Sequence, residues 1–177
     1  MKTGLLKGQI CGLLLVVLPT AGCSRVANVM VTRVVTVTAA EDICRKSVEV
    51  HLVAVNRFEK DQWEGMSMTK YWEPENRLRQ SAKEYTYVVH FGQGPCENVI
   101  GKKDPIRRVW KARKAEYLLI LADLPGIFPD LPGNADARRL RLPAPDSACW
   151  GWRQTKINIG IEGSSVVPLT IPDSKCD

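Results

Sequence analysis

The sequence predicts an all-β chain, a β-sandwich of about seven to eight strands with one or two short helical insertions. Short runs rich in β-branched residues alternate in polarity with the two-residue period of a half-buried strand. Pro, Gly, Asn and Asp clusters punctuate those runs at close intervals. Strands do not alternate with long helical patterns, so a parallel α/β sheet is excluded. The 177 residues carry 25 Lys+Arg, 19 Asp+Glu and 45% apolar side chains, which sets the chain apart from disordered polymers and disulfide miniproteins.

The first segment is an export signal. Lys2 and Lys7 precede an apolar run from Ile10 to Leu18, shorter than the roughly 20 residues a spanning helix needs. Thr20-Ala21-Gly22-Cys23 resembles the bacterial lipobox, in which a cysteine is acylated and the signal is cut in front of it, although Thr20 replaces the commoner Leu. This divides the chain into a lipoprotein signal (1–22), a lipid anchor on Cys23 with a short tether (23–28) and one sandwich domain (29–177). The alternative is an ordinary secretory signal cut near Gly22 with Cys23 unmodified. Acyl chains would hold the domain on a membrane at about 0.8 kcal/mol per buried methylene. Ser24 after the cysteine suggests the outer membrane, with the domain facing the periplasm. Without the signal, 155 residues remain with a net charge of about +4, enough for one ordinary core.

The strands follow in order. Val29 to Thr38 is rich in Val and Thr, and Ser47 to Val55 sets Val48, Val50, Leu52 and Ala54 against Glu49 and His51. Glu84 to Gly92 places Tyr85, Tyr87, Val89 and Phe91 on one side. Glu116 to Ala122 is continuously apolar and therefore central. Arg138 to Leu142 points Leu140 and Leu142 inward and Arg139 and Arg141 outward. Thr155 to Ile161 aligns three isoleucines, and Gly163-Ser164 turns into Ser165 to Thr170. Helices are expected after Pro74 and after Asp104-Pro105, the latter with Ile106, Val109 and Trp110 on a common face.

Removing Cys11 of the signal and Cys23 leaves Cys44, Cys96, Cys149 and Cys176, read as two structural disulfides of three possible connectivities. Either Cys44 or Cys149 can reach Cys176 and fasten the tail. No paired C-x-x-C spacing points to a metal. No G-x-S-x-G, S-x-x-K or phosphate loop is present, so no catalytic residue, cofactor or enzymatic activity is expected. Lys102, Lys103, Arg107, Arg108, Lys111, Arg113 and Lys114 face the single acid Asp104. On an exported chain this basic run suits an anionic lipid, wall polymer or acidic protein better than nucleic acid. Trp63, Tyr71 and Trp72 form either a binding platform or the packing of an insertion.

The strand SVEVHLVAV, the insertion DQWEGMSMTKYW, the strand YLLILADLPG, the step RRLRLP and the closing TKINIGIEGSSVV together resemble the outer-membrane lipoprotein of the type VI secretion system. The likeness spans roughly Val48 to Val167 and is one of pattern. It implies a transthyretin-like or immunoglobulin-like sandwich whose loops bind the periplasmic domain of an inner-membrane partner. The four additional cysteines and the long basic run depart from the family pattern. The expectation is therefore a structural docking component with a periplasmic protein partner. The alternative is a cell-wall or glycan-binding module using Trp63, Tyr71, Trp72 and the basic surface.

Overall fold

The computed structural model describes residues 33–147 and 154–172. In chain order these form β1 (Val34–Ala39), α1 (Glu41–Cys44), β2 (Val48–Val55), α2 (Lys60–Gly65), α3 (Met68–Tyr71), α4 (Arg77–Ser81), β3 (Thr86–Phe91), β4 (Glu97–Ile100), α5 (Pro105–Ala112), β5 (Tyr117–Ala122), β6 (Arg139–Pro143), β7 (Lys156–Ile161) and β8 (Val166–Pro168). Short 3-10 turns at Lys83–Tyr85 and Gly133–Ala135 precede β3 and β6. One sheet runs β4-β1-β7-β8 and the other β3-β2-β5-β6. Every pairing is antiparallel except β1 with β7, which run parallel from Val34↔Lys156 to Ala39↔Ile161. This is the β-sandwich that the alternating runs predict.

Parity explains the core. In the second sheet Val50, Leu52 and Ala54 lie beside Val89 and Tyr87 of β3 and beside Ala122, Ile120 and Leu118 of β5. Leu140 and Leu142 of β6 continue that face. Val35, Val37, Ile157 and Ile159 of the first sheet are buried in the same core. Each such aliphatic side chain contributes about 1.5–3 kcal/mol on leaving water. β5 has neighbours on both edges and is buried from Leu118 to Ala122, as its unbroken apolar run requires.

The other face of the second sheet, carrying His51, Val53, Leu119, Leu121, Arg139 and Arg141, is equally covered. The insertion between β2 and β3 lies over it, through Trp63, Met68 and Tyr71, all buried. The chain thus has two sheets and a third, helical layer. Two elements differ from expectation here. Lys60–Gly65 and Met68–Tyr71 are helical although only the segment after Pro74 was expected to be, because six- and four-residue helices owe their form to side-chain anchorage and not to propensity. Arg139, expected in solvent, is 2% exposed because the insertion covers its face.

β4 was also not anticipated: Glu-Asn-Val-Ile is short and half polar, and its strand form comes from pairing with β1. Cys44 at the end of α1 is bonded to Cys96 just before β4, closing 52 residues. That excludes a Cys44–Cys176 bridge. Gly92 is essential to the same corner. Its amide donates to Cys44 O, its φ is +106°, and a Cβ there would lie 2.8 Å from Lys46 O. The signal, Cys23, the tether, the start of the Val29 run, Cys149 and Cys176 lie outside the described residues.

Candidate functional site

The insertion is joined to the sheet beneath it at two polar points. At the β6 edge Arg139 sends Nη1 to Trp63 O at 2.7 Å and to Glu64 O, and Nη2 to Met66 O at 2.8 Å and Leu131 O at 3.4 Å. The guanidinium fork thereby takes up carbonyls at the end of α2 that have no helical partner. Burial pushes its pKa down, offset in part by Asp136 and Glu64. Next to it, Arg138 bonds Asp136 and Asp130, and Asp130 accepts from the Ser67 hydroxyl and from Thr69. The Ser67 hydrogen bond chiefly holds the Asp130 carboxyl well below its ordinary range. Burial works against ionising Asp136, yet hydrogen bonds from Arg138 and Leu131 keep it low. Arg141 pairs with Glu64.

At the β3 edge His51 lies between Tyr71 and Glu49, with Nδ1 2.7 Å from the phenol oxygen and Nε2 2.6 Å from Glu49 Oε1. A carboxylate only accepts, so Nε2 carries the proton and Nδ1 accepts from Tyr71. Arg79 of α4 donates to the same carboxylate oxygen at 2.7 Å and lies over the Trp72 ring. Burial pushes the His51 pKa down and the Tyr71 pKa up. A recess of about 320 Å³ opens beside Glu49, Arg79, Lys83 and His90. The Tyr71–His51–Glu49 chain begins at a phenol with no exposed surface, so its inner end presents no nucleophile to a substrate. Its chemistry is that of a joint between α3 and the sheet.

The exposed cations gather elsewhere. Asp104 caps α5 by accepting from Ile106 N, Pro105 opens its first turn, and Trp110 turns inward to donate to Tyr85 O at 2.9 Å. Lys102, Lys103, Arg108, Lys111 and Lys114 are exposed along and beside this helix. Arg107 is not part of that surface. It is 4% exposed and grips Asp146 at 2.7 and 3.1 Å and Arg33 O at 2.8 Å. The aromatic residues are corrected likewise: Trp63 is 1% exposed, Tyr71 is buried and Trp72 is half-buried. They form the insertion's packing and leave no stacking platform, which removes the basis of a glycan module built on them.

Lys111 and Lys114 border a recess of about 440 Å³ completed by Arg57, Glu116 and Pro145–Ser147. Arg57 lines it, and Phe58, the next residue in the chain, belongs to neither candidate surface of the sequence. Arg57 pairs with Glu116 and Glu59 with Arg113, and between those ties Phe58 is 89% exposed. An aromatic among polar residues just past a strand end was the available signal. Among the described residues no cluster of three His, Cys, Asp or Glu side chains is placed to hold a metal, and no helix is long and apolar enough to cross a membrane.

No protein-family model matches the chain, and no curated protein is significantly similar to it. Solved structures are similar in fold. The C-terminal domain of the type VI secretion protein TssM from EAEC is matched over its whole length and 78% of this chain, with TM-score 0.50 and 14% identity. Lip of Serratia marcescens, described as a membrane-bound component of the type VI secretion system, gives 0.48 and 11% over 78% of this chain and 96% of its own. The type VI lipoprotein TssJ1 of Pseudomonas aeruginosa gives 0.46 and 13% over 80% and 96%. The first reaches the level at which likeness speaks to fold, and its identity carries the likeness no further. The sandwich agrees with the remote type VI resemblance of the sequence.

Proposed function

We propose that this chain is a lipid-anchored envelope protein of a type VI secretion membrane complex, held in the outer membrane by acyl chains on Cys23 and docking a periplasmic protein partner. The observation that carries the reading is a two-sheet sandwich matched over the full length of a type VI secretion domain. The lipobox-like Thr20-Ala21-Gly22-Cys23 supports the anchor. A structural role is supported by the polar networks, whose buried members are committed to holding the insertion and the strand ends. The β5–β6 loop offers a contact surface, with Ile127 fully exposed beside the Asp130–Arg138 network. With Cys44 bonded to Cys96, Cys149 and Cys176 are the remaining pair.

Labelling with a radioactive fatty acid tests the anchor: the native chain takes up label, and Cys23→Ala takes up none. The docking role predicts that the purified periplasmic domain of the inner-membrane component captures the mature chain and that Ile127→Asp weakens capture. A native chain found unlabelled in the cytosol, or no capture at all, overturns the proposal. A non-reducing peptide map should recover Cys149 linked to Cys176.

A further inference from the structure

The sandwich is electrically and chemically unlike at its two ends. β1 begins where β4 finishes and β7 begins, and β2 finishes where β5 begins, by the registers Val35↔Ile100, Val34↔Lys156 and Val55↔Tyr117; Arg107 on Arg33 O and Asp146, and Arg33 on Pro145 O, bring these strand ends of the two sheets to one end of the sandwich. That end carries α5 and the exposed Lys102, Lys103, Arg108, Lys111, Lys114 and Lys156. Among the described residues none of these six has an ion-pair partner; of the acids near them, Glu59, Glu116 and Asp146 are paired with Arg113, Arg57 and Arg107, and Asp104 is taken up as the cap of α5. The opposite end holds the exposed acids Asp123 and Glu162, which have no ion-pair partner among the described residues, together with Glu41, Asp42 and Asp130, which are paired. Its lysine and arginine beside α1 are engaged in turn, Arg45 by Glu41 and Lys46 by Asp42.

The basic end is also where the chain arrives from its N-terminus. Arg33, the first described residue, receives Arg107 on its carbonyl and sends Nη1 to Pro145 O at 3.1 Å, so the start of β1 is fastened against α5. Cys23 is ten residues earlier, a covalent reach of at most about 35 Å. Such a tether limits the distance between domain and bilayer and leaves the orientation open. Charge settles the orientation, because an anionic surface attracts the six unpaired cations and repels the acidic end. Phe58 stands on this basic end too, held between the Arg57–Glu116 and Arg113–Glu59 pairs with its ring in solvent. An aromatic presented on a fixed, cation-rich surface suits the headgroup boundary of a bilayer.

We propose that the α5 end of the sandwich lies against the anionic phospholipid surface of the membrane that holds the anchor, with Lys102, Lys103, Arg108, Lys111, Lys114 and Lys156 on the headgroups and Phe58 at the boundary. This rests on the anchored reading of Cys23 and adds to it a second, noncovalent contact. It turns the acidic end and Ile127 away from the bilayer, toward the periplasm.

The test uses the mature chain with Cys23→Ser, so that affinity is read without any acyl chain and stands or falls separately from acylation. Co-sedimentation is measured with vesicles containing phosphatidylglycerol and with vesicles of phosphatidylcholine alone. Binding to the first only, weakening as salt rises, is expected. Replacing Lys102, Lys103, Arg108 and Lys111 by Gln should lower affinity by up to about six-hundredfold, at about fivefold per charge removed. Phe58→Ser should lower it several-fold, while Arg45→Gln with Lys46→Gln at the other end leaves it unchanged. Thermal melting checks that the exposed substitutions leave the fold intact. Equal binding to both vesicles, no binding at low salt, or unchanged binding by the fourfold variant overturns the proposal. Retention on polyglutamate without vesicle binding assigns the face to an acidic protein and likewise overturns it.

Discussion

The helical layer meets the sheet beneath it at two edges that are closed in different ways. At the β6 edge, Arg139 is held by four backbone carbonyls and surrounded by the Arg138–Asp136–Asp130 network. At the β3 edge, His51 and Arg79 share the Glu49 carboxylate beside an open recess. Carbonyls do not titrate in the physiological range, so the first joint keeps its form at any ordinary pH. The second depends on the protonation of an imidazole. One layer is thus clamped rigidly at one edge and adjustably at the other.

Removing the clamp should have the largest effect. Arg139→Ala leaves several carbonyls without donors in a buried site, and a loss of about 3–5 kcal/mol is expected in urea unfolding. Hydrogen exchange should rise first in α2 and α3; uniform exchange across both sheets would show that the clamp serves the whole core. Cys44→Ala with Cys96→Ala provides the contrast, since that bridge ties α1 to β4 away from the insertion. About 2–4 kcal/mol should be lost without selective exposure of α2 and α3. Glu49→Gln weakens only the β3 edge, by about 1–2 kcal/mol, with faster exchange confined to α3 and α4.

The smallest effect is a pH dependence. Burial lowers the folded-state pKa of His51, so below about pH 6.5 the unfolded chain takes up a proton that the folded chain resists. Its contribution to stability is complete above the unfolded value and is lost as pH falls from there through the folded value. His51→Gln should flatten the stability profile in that window while Arg139→Ala leaves its shape intact. A wild-type profile with no slope there would contradict the assignment of His51 as neutral.

Much of this fold is legible residue by residue. The alternations in Val48–Val55, Arg139–Pro143 and Lys156–Ile161 name the strands, and Asp104-Pro105 names the start of α5. Alternation, however, gives the side to which a residue points and says nothing of what lies there. Arg139 and His51 both point away from the sandwich core, and both are buried by helices some distance away in sequence. Arg107 reads as one base in a basic run, but its partner Asp146 lies 39 residues on. Trp63 and Tyr71 have the composition of a binding platform, and only the position of the insertion makes them packing.

From its order of residues alone the chain settles which segments extend, which positions face one another across a strand, and the segregation of cations into the run from Lys102 to Lys114. These follow from local sterics and the two-residue period of a strand. Tertiary structure alone decided that Cys44 meets Cys96, that the outer face of one sheet is roofed while its charges are taken up inside, and that the basic run and the start of β1 share one end. Those outcomes depend on contacts between distant segments, whose closure no local periodicity records.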